Sequence, residues 1–196
     1  MDNHTYFEKM PIICANTNNI VGFEVLLRRF RGIPLRLFNQ YPELYCELSN
    51  AILQEIFSLD DTGRIRNKGD SLFVNLTPSQ LVCRSTLDFM YNLYDSNRSV
   101  KNIVIELTEH DINTNIDELL ERVLLFKSFG FRFAIDDFGV KASNFQRIFE
   151  VYPEFVKLDR SLIVKFSATA SNINTLSKLV NFCHDLEPVS YTHLTL

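Results

Sequence analysis

The chain has 196 residues, 46% of them hydrophobic, enough to fill the core of one sizeable domain. Its 20 Lys and Arg against 24 Asp and Glu leave a formal net charge of −4, so no global field draws it to a nucleic acid polymer or an anionic membrane. No run approaches the ~18 apolar residues of a membrane span, and the first residues lack the basic and apolar regions of a signal peptide, so a cytoplasmic protein is expected.

Two strands come first, Tyr6 to Cys14 and Ile20 to Phe30, joined by Asn16-Thr17-Asn18-Asn19, a polar link suited to a hairpin. Glu24 sits among aliphatics in the second strand. Such a carboxylate either faces solvent from an edge strand, the default for a lone case, or has a dedicated partner inside. Gly32-Ile33-Pro34 breaks the pattern, and Leu48, Ile52 and Ile56 predict a helix over Glu47 to Phe57, closed by Asp60-Asp61-Thr62-Gly63. Ser71 to Leu76 reads as a strand ending near Asn75, with Thr77-Pro78-Ser79 as a helix start. After an amphipathic Leu87 to Tyr94, Ile103-Val104-Ile105-Glu106 repeats the design of aliphatics followed by a polar group.

The helix from Asp117 to Phe129 carries Leu119, Leu120, Val123, Leu124 and Phe126 on one apolar face and stops at Gly130. Phe131 to Gly139 follows as an apolar run that meets two adjacent acids, Asp136 and Asp137, and a glycine. Strict alternation would aim those acids at opposite faces unless the strand ends there. They either open a turn or form a rim that holds a cation. Phe145 to Val151 is a short helix ended by Pro153, Phe155 to Asp159 is a strand with a buried-looking Lys157, and Ile173 to Leu186 is the last helix. Cys14, Cys46, Cys83 and Cys183 form no CxxC pair, so reduced thiols are expected and neither a zinc knot nor a disulfide framework.

Asn75, Glu106, Asp136 and Lys157 recur at about the length of one βα unit. Strands alternating with helices predict a parallel sheet, and polar groups at successive strand ends predict one functional face of a (β/α) barrel or a doubly wound sheet. Glu24, Asn75, Glu106, Asp136 and Asp137 together would form an oxygen-rich, negative site that requires cations. Hard divalent ions, Mg²⁺ or Mn²⁺, suit such ligands. Lys157 would either orient or deprotonate a water there, or serve as a structural ion pair. A barrel glycosidase with paired carboxylates would leave Asn75, Lys157 and the adjacent acids unexplained.

Five stretches in order resemble the EAL domain family, which hydrolyses the second messenger cyclic di-GMP. They are Glu24-Val25-Leu26-Leu27-Arg28, Phe73-Val74-Asn75-Leu76-Thr77-Pro78, Glu106-Leu107-Thr108-Glu109, Asp136-Asp137-Phe138-Gly139 and Val156-Lys157-Leu158-Asp159. The resemblance implies a TIM-like (β/α) barrel of EAL type and a cyclic di-GMP phosphodiesterase that forms linear pGpG by a two-metal mechanism. It implies Glu24, Asn75, Glu106, Asp136 and Asp137 as ligands of two Mg²⁺ or Mn²⁺ ions, and Glu24 and Lys157 as the catalytic pair, with Lys157 holding the nucleophilic water. Arg28 and Leu26 would bind substrate, Glu109 would support the loop after Asp137, and a homodimer is implied as a partner state.

Departures from the pattern point to the alternative, a degenerate EAL module that binds cyclic di-GMP or a protein without turnover. Met10 stands where the family has Gln, and Val140 and Lys141 replace a hydroxyl residue and a glycine in the loop after Asp137. The resemblance covers residues 1–187 as a partial domain, in which the last two strands of the barrel are missing. Residues 188–196 read as a non-native tail. An incomplete barrel would leave strand edges open, so this stretch alone is expected to be poorly stable and inactive.

Overall fold

The computed structural model describes residues 4–14, 17–34, 37, 42–67, 69–96, 99–108, 114–138, 143–159, 161, 164, 170–185 and 191–195. Strands β1 (Tyr6–Cys14) and β2 (Ile20–Phe30) form an antiparallel hairpin, and β3 (Ile33–Pro34) adds a two-residue spur to the end of β2. There follow helix α1 (Pro42–Asp61), β4 (Ser71–Leu76), α2 (Pro78–Val82), α3 (Arg84–Asp95), β5 (Ile103–Leu107), α4 (Ile116–Phe129), β6 (Arg132–Phe138), α5 (Ser143–Val151), β7 (Phe155–Leu158), α6 (Ala170–Asp185) and β8 (Tyr191–Thr195). The alternation of strands and helices has the predicted outcome: β2, β4, β5, β6, β7 and β8 run parallel in that order. β1 pairs with both β2 and β8, so the sheet curls into a ring.

This is a (β/α) barrel of the expected kind, with seven strands in the ring among the described residues where a complete barrel has about eight. Strand edges were expected to lie open, but Tyr191–Thr195, within the stretch read as a tail, pairs with both β7 and β1. α1 is longer at both ends than the periodicity indicated, because Pro42 fits the first turn and Thr62 closes the last by donating its hydroxyl to Leu59 O at 2.7 Å.

Away from their register shifts, the strands sort their residues by parity. One set, including Leu72, Val74, Ile103, Ile105, Phe133, Ile135 and Val156, packs outward against the helices. The other set lines the ring interior, where Ile12, Phe73, Val104, Ala134 and Phe155 make an apolar floor. Gly22 is required at this level, since a Cβ there would come within 2.3 Å of Ser71 O on the neighbouring strand.

Local signals set the helix ends. Thr77 and Gln80 form a reciprocal capping box at the start of α2, Asn115 accepts from Asp117 N and Glu118 N at the start of α4, and Gly130, at φ 99°, ends α4 in the left-handed region. The apolar face of α4 is narrower than expected: Leu119, Val123 and Phe126 are buried, but Leu124 is 68% exposed. Four consecutive apolar side chains cannot all meet one sheet at 100° per residue, and Leu124 falls on the outer side.

The strand carrying the adjacent acids does not end at them. β6 runs to Phe138, and its pairing with β7 slips between Ile135↔Val156 and Phe138↔Leu158, so three steps on β6 match two on β7. That is a β-bulge, and Asp137 takes a φ of 52° within it. The extra residue returns Phe138 to the outer core while Asp136 keeps its place on the ring interior.

Candidate metal centre

Directly above the apolar floor, the inward residues of five strands turn polar. Glu24 of β2, Asn75 of β4, Glu106 of β5, Asp136 of β6 and Lys157 of β7 meet there. Lys157 Nζ lies 2.9 Å from Glu24 Oε2, 3.0 Å from Glu106 Oε2 and 3.1 Å from Asp136 Oδ1. Asn75 Nδ2 donates to Glu24 Oε1 at 2.6 Å, so Asn75 is neither a cap nor a turn residue. Glu24 is buried, which overturns the edge placement expected of a lone acid and leaves the reading with a dedicated partner inside.

The charges do not balance. Three carboxylates share one ammonium, in a place where unpaired charge is costly. Burial raises the Lys157 requirement for partners, yet the surrounding Glu106, Asp136 and Glu24 outweigh it and hold the ammonium well above the ordinary lysine range. Burial pushes Glu24 up, but Lys157 and the amide of Asn75 prevail and hold it below the usual carboxyl value. Glu106 goes the other way. It is fully buried, lies beside Glu24 and Asp136, and is pushed well above the carboxyl range despite its contact with Lys157.

One oxygen of that group, Glu106 Oε1, is buried with no hydrogen-bond partner among the described residues. One oxygen from each of Glu24, Glu106 and Asp136 lies within 4.8 Å of the others, a spacing that a single hard cation can span. An orphaned buried carboxylate oxygen within a set of acids is the condition a divalent ion relieves.

Asp137 reaches the same neighbourhood through the bulge. Burial, then the charges of Asp136 and Asp159, raise it to about 6, and it shares a hydrogen bond with Asp159. Asp159 in turn accepts from Ser161 N at 2.7 Å. Asp159 escaped the sequence reading as a site residue, although its place two residues after Lys157, directly past the end of β7, was a signal that both lie on one side. Arg28 lies higher on β2, paired with Glu8, and half-buried Leu26 lies opposite Glu8 in the hairpin register. Glu109 and the loop Gly139-Val140-Lys141-Ala142 lie outside the described residues. No helix among the described residues is long and apolar enough to cross a membrane.

A family model described as "EAL domain" matches residues 3–188. Among curated relatives, the EAL-domain containing protein YkuI of Bacillus subtilis is 24% identical over 158 residues, covering 76% of this chain and 38% of YkuI. The cyclic di-GMP phosphodiesterase RocR of Pseudomonas aeruginosa is 25% identical over 179 residues, covering 87% of this chain and 45% of RocR. The chain thus spans less than half the length of these relatives. Among solved structures, a manganese and cyclic di-GMP complex of Klebsiella pneumoniae BlrP1 superposes with a TM-score of 0.77 at 19% identity, covering 100% of this chain and 55% of that one.

Proposed function

We propose, from the premise that the chain belongs to the EAL domain family, that its buried acid cluster hydrolyses cyclic di-GMP to linear pGpG with two divalent cations, Mg²⁺ or Mn²⁺. The observation that carries this reading is the unpartnered Glu106 Oε1 inside a cluster of three acids and one lysine. The donor set fits hard cations: carboxylates and one amide, with no thiol or imidazole. The manganese and cyclic di-GMP bound by BlrP1 support the same ligand class for a barrel of this shape.

Glu24, Asn75, Glu106, Asp136 and Asp137 are the residues to hold the cations. Asn75 has its carbonyl oxygen for this, since Nδ2 is engaged by Glu24. When bound, the two ions supply the charge that activates a water for in-line attack on phosphorus and offsets the charge on the leaving oxygen. Without bound cations the surrounding acids hold the Lys157 ammonium in place. Beside the cations it would orient the attacking water. Arg28, further up the same strand as Glu24, meets a substrate phosphate.

The test is chromatography of cyclic di-GMP incubated with the protein and Mn²⁺, alongside Glu24→Ala and Lys157→Ala. The expected result is pGpG formation that EDTA stops and either substitution lowers by at least about a hundredfold. Equal rates in all three proteins would overturn the site assignment. Absence of cation-dependent binding of cyclic di-GMP would overturn the function.

A further inference from the structure

Arg28 does not stand alone at the mouth of the site. Its Nε and Nη2 both reach Glu8 Oε2, at 2.7 and 2.5 Å. The hairpin register pairs Met10 with Glu24 and Glu8 with Leu26. Directly opposed residues of an antiparallel pair share a face, and so do residues two apart on one strand. Glu8, Met10 and Leu26 therefore lie on the face that carries Glu24, and Arg28, which falls at the register shift opposite Tyr6 and Phe7, joins them through its direct contact with Glu8. The same row on β1 continues down to Ile12, which belongs to the apolar floor. It climbs from that floor, past the level of the metal-site acids, to an acid at the rim.

We infer that Glu8 is a specificity-determining residue of this site, a built-in competitor that lowers the affinity for anionic phosphodiester ligands by engaging Arg28. The inference rests on the reading of Arg28 as a phosphate contact. A carboxylate that accepts from both Nε and Nη2 occupies the side edge of the guanidinium. A phosphate must then displace Glu8 or approach the remaining edge with a negative charge beside it. Either route costs free energy.

Arg28 and Glu8 are 42% and 45% exposed, so water screens the pair and the effect is a few-fold one. It acts unequally on substrate and product. Linear pGpG carries an ionised terminal phosphate that the cyclic dinucleotide lacks, so Glu8 repels the product more strongly and favours its release.

Calorimetric binding of cyclic di-GMP and of pGpG, with Ca²⁺ as the supporting cation and at low and high salt, tests this on the wild type and Glu8→Gln. Glu121→Gln, an exposed acid on the outside of α4, serves as a control for net charge. Glu8→Gln is expected to tighten cyclic di-GMP binding by roughly three- to tenfold at low salt and pGpG binding by more, with the gain fading at high salt. Glu121→Gln is expected to change neither by more than about twofold. Weaker or unchanged binding in Glu8→Gln overturns the inference, the former because it makes Glu8 a prop for Arg28. If Glu8→Gln does not fold, Glu8→Asp, whose shorter reach withdraws the charge from Arg28, is expected to shift affinity in the same direction, and no shift overturns the inference. Wild-type binding with no change in the variant defeats the inference alone, whereas no binding by either protein defeats the functional reading and the inference with it.

Discussion

Lys157 Nζ sits 3.0 Å from Glu106 Oε2, with side chains only 2% and 0% exposed, while the other oxygen of the same carboxylate has no hydrogen-bond partner among the described residues. One half of Glu106 is thus neutralised by a resident cation and the other half is left for a second one. The ammonium occupies ground that divalent ions would share.

Lys157→Met should therefore be severe without metal and mild with it. Removing the ammonium leaves Glu24, Glu106 and Asp136 facing one another in the ring, a loss of about 3–5 kcal/mol for a broken buried pair. Thermal melts in EDTA should show a large drop, and Mn²⁺ should raise the melting temperature of the variant more than that of the wild type. Equal melting of the two proteins in EDTA would refute the role assigned to Lys157.

Glu106→Gln should separate folding from metal binding. Because burial and the neighbouring acids raise the Glu106 carboxyl above its unfolded value, its contribution to stability is present at pH below the ordinary carboxyl pKa and is lost as pH rises through the folded one. The metal-free wild type should lose stability over that rise, and Glu106→Gln should flatten the slope. In EDTA at neutral pH the variant should melt no lower than the wild type, yet bind Mn²⁺ at least about tenfold more weakly. Lower stability together with intact Mn²⁺ affinity would contradict both halves of this account.

Cation affinity should fall in mild acid. Asp137 is raised to about 6, and Glu106 is shifted in the same direction, so protons compete with Mn²⁺ for these oxygens well above the usual carboxyl range. Titration calorimetry should find affinity climbing as pH rises through about 6. An affinity already constant from about pH 5 upward would place the metal on other groups.

Gly22→Ala tests the ring itself. The added Cβ would lie 2.3 Å from Ser71 O, a backbone atom that cannot rotate away, so β2 and β4 must separate. A loss of about 1–3 kcal/mol is expected in urea unfolding. Gly63→Ala, with open space around it but a φ of +70°, should cost about 1 kcal/mol through backbone strain alone. The reverse ranking would mean that the β2–β4 contact is looser than described.

Much of this architecture is legible from residues alone, for identifiable reasons. The bounds of β1 and β2 follow from polar links that cannot be buried, and the end of α4 from Gly130, whose backbone role is local. The clustered acids Glu106 and Asp136 are legible because the strand period repeats with a polar group at each strand end. The bulge in β6 was not legible, since it is a property of pairing with β7 and not of the segment Ile135 to Phe138 itself. The same holds for Glu8: an acid near the start of a strand looks like ordinary surface until the hairpin register puts it beside Arg28.

The bulge lets two adjacent acids and a core phenylalanine share one strand end. Deleting either of Asp136 and Asp137, the two residues between Ile135 and Phe138, would leave two steps on each strand, so Phe138 would stay opposite Leu158 in the outer core and the ring would keep one acid in place of two. Strict alternation through both acids, without the extra step, would instead turn Phe138 inward. The second acid is thus accommodated by an irregularity of pairing that costs the outer core nothing.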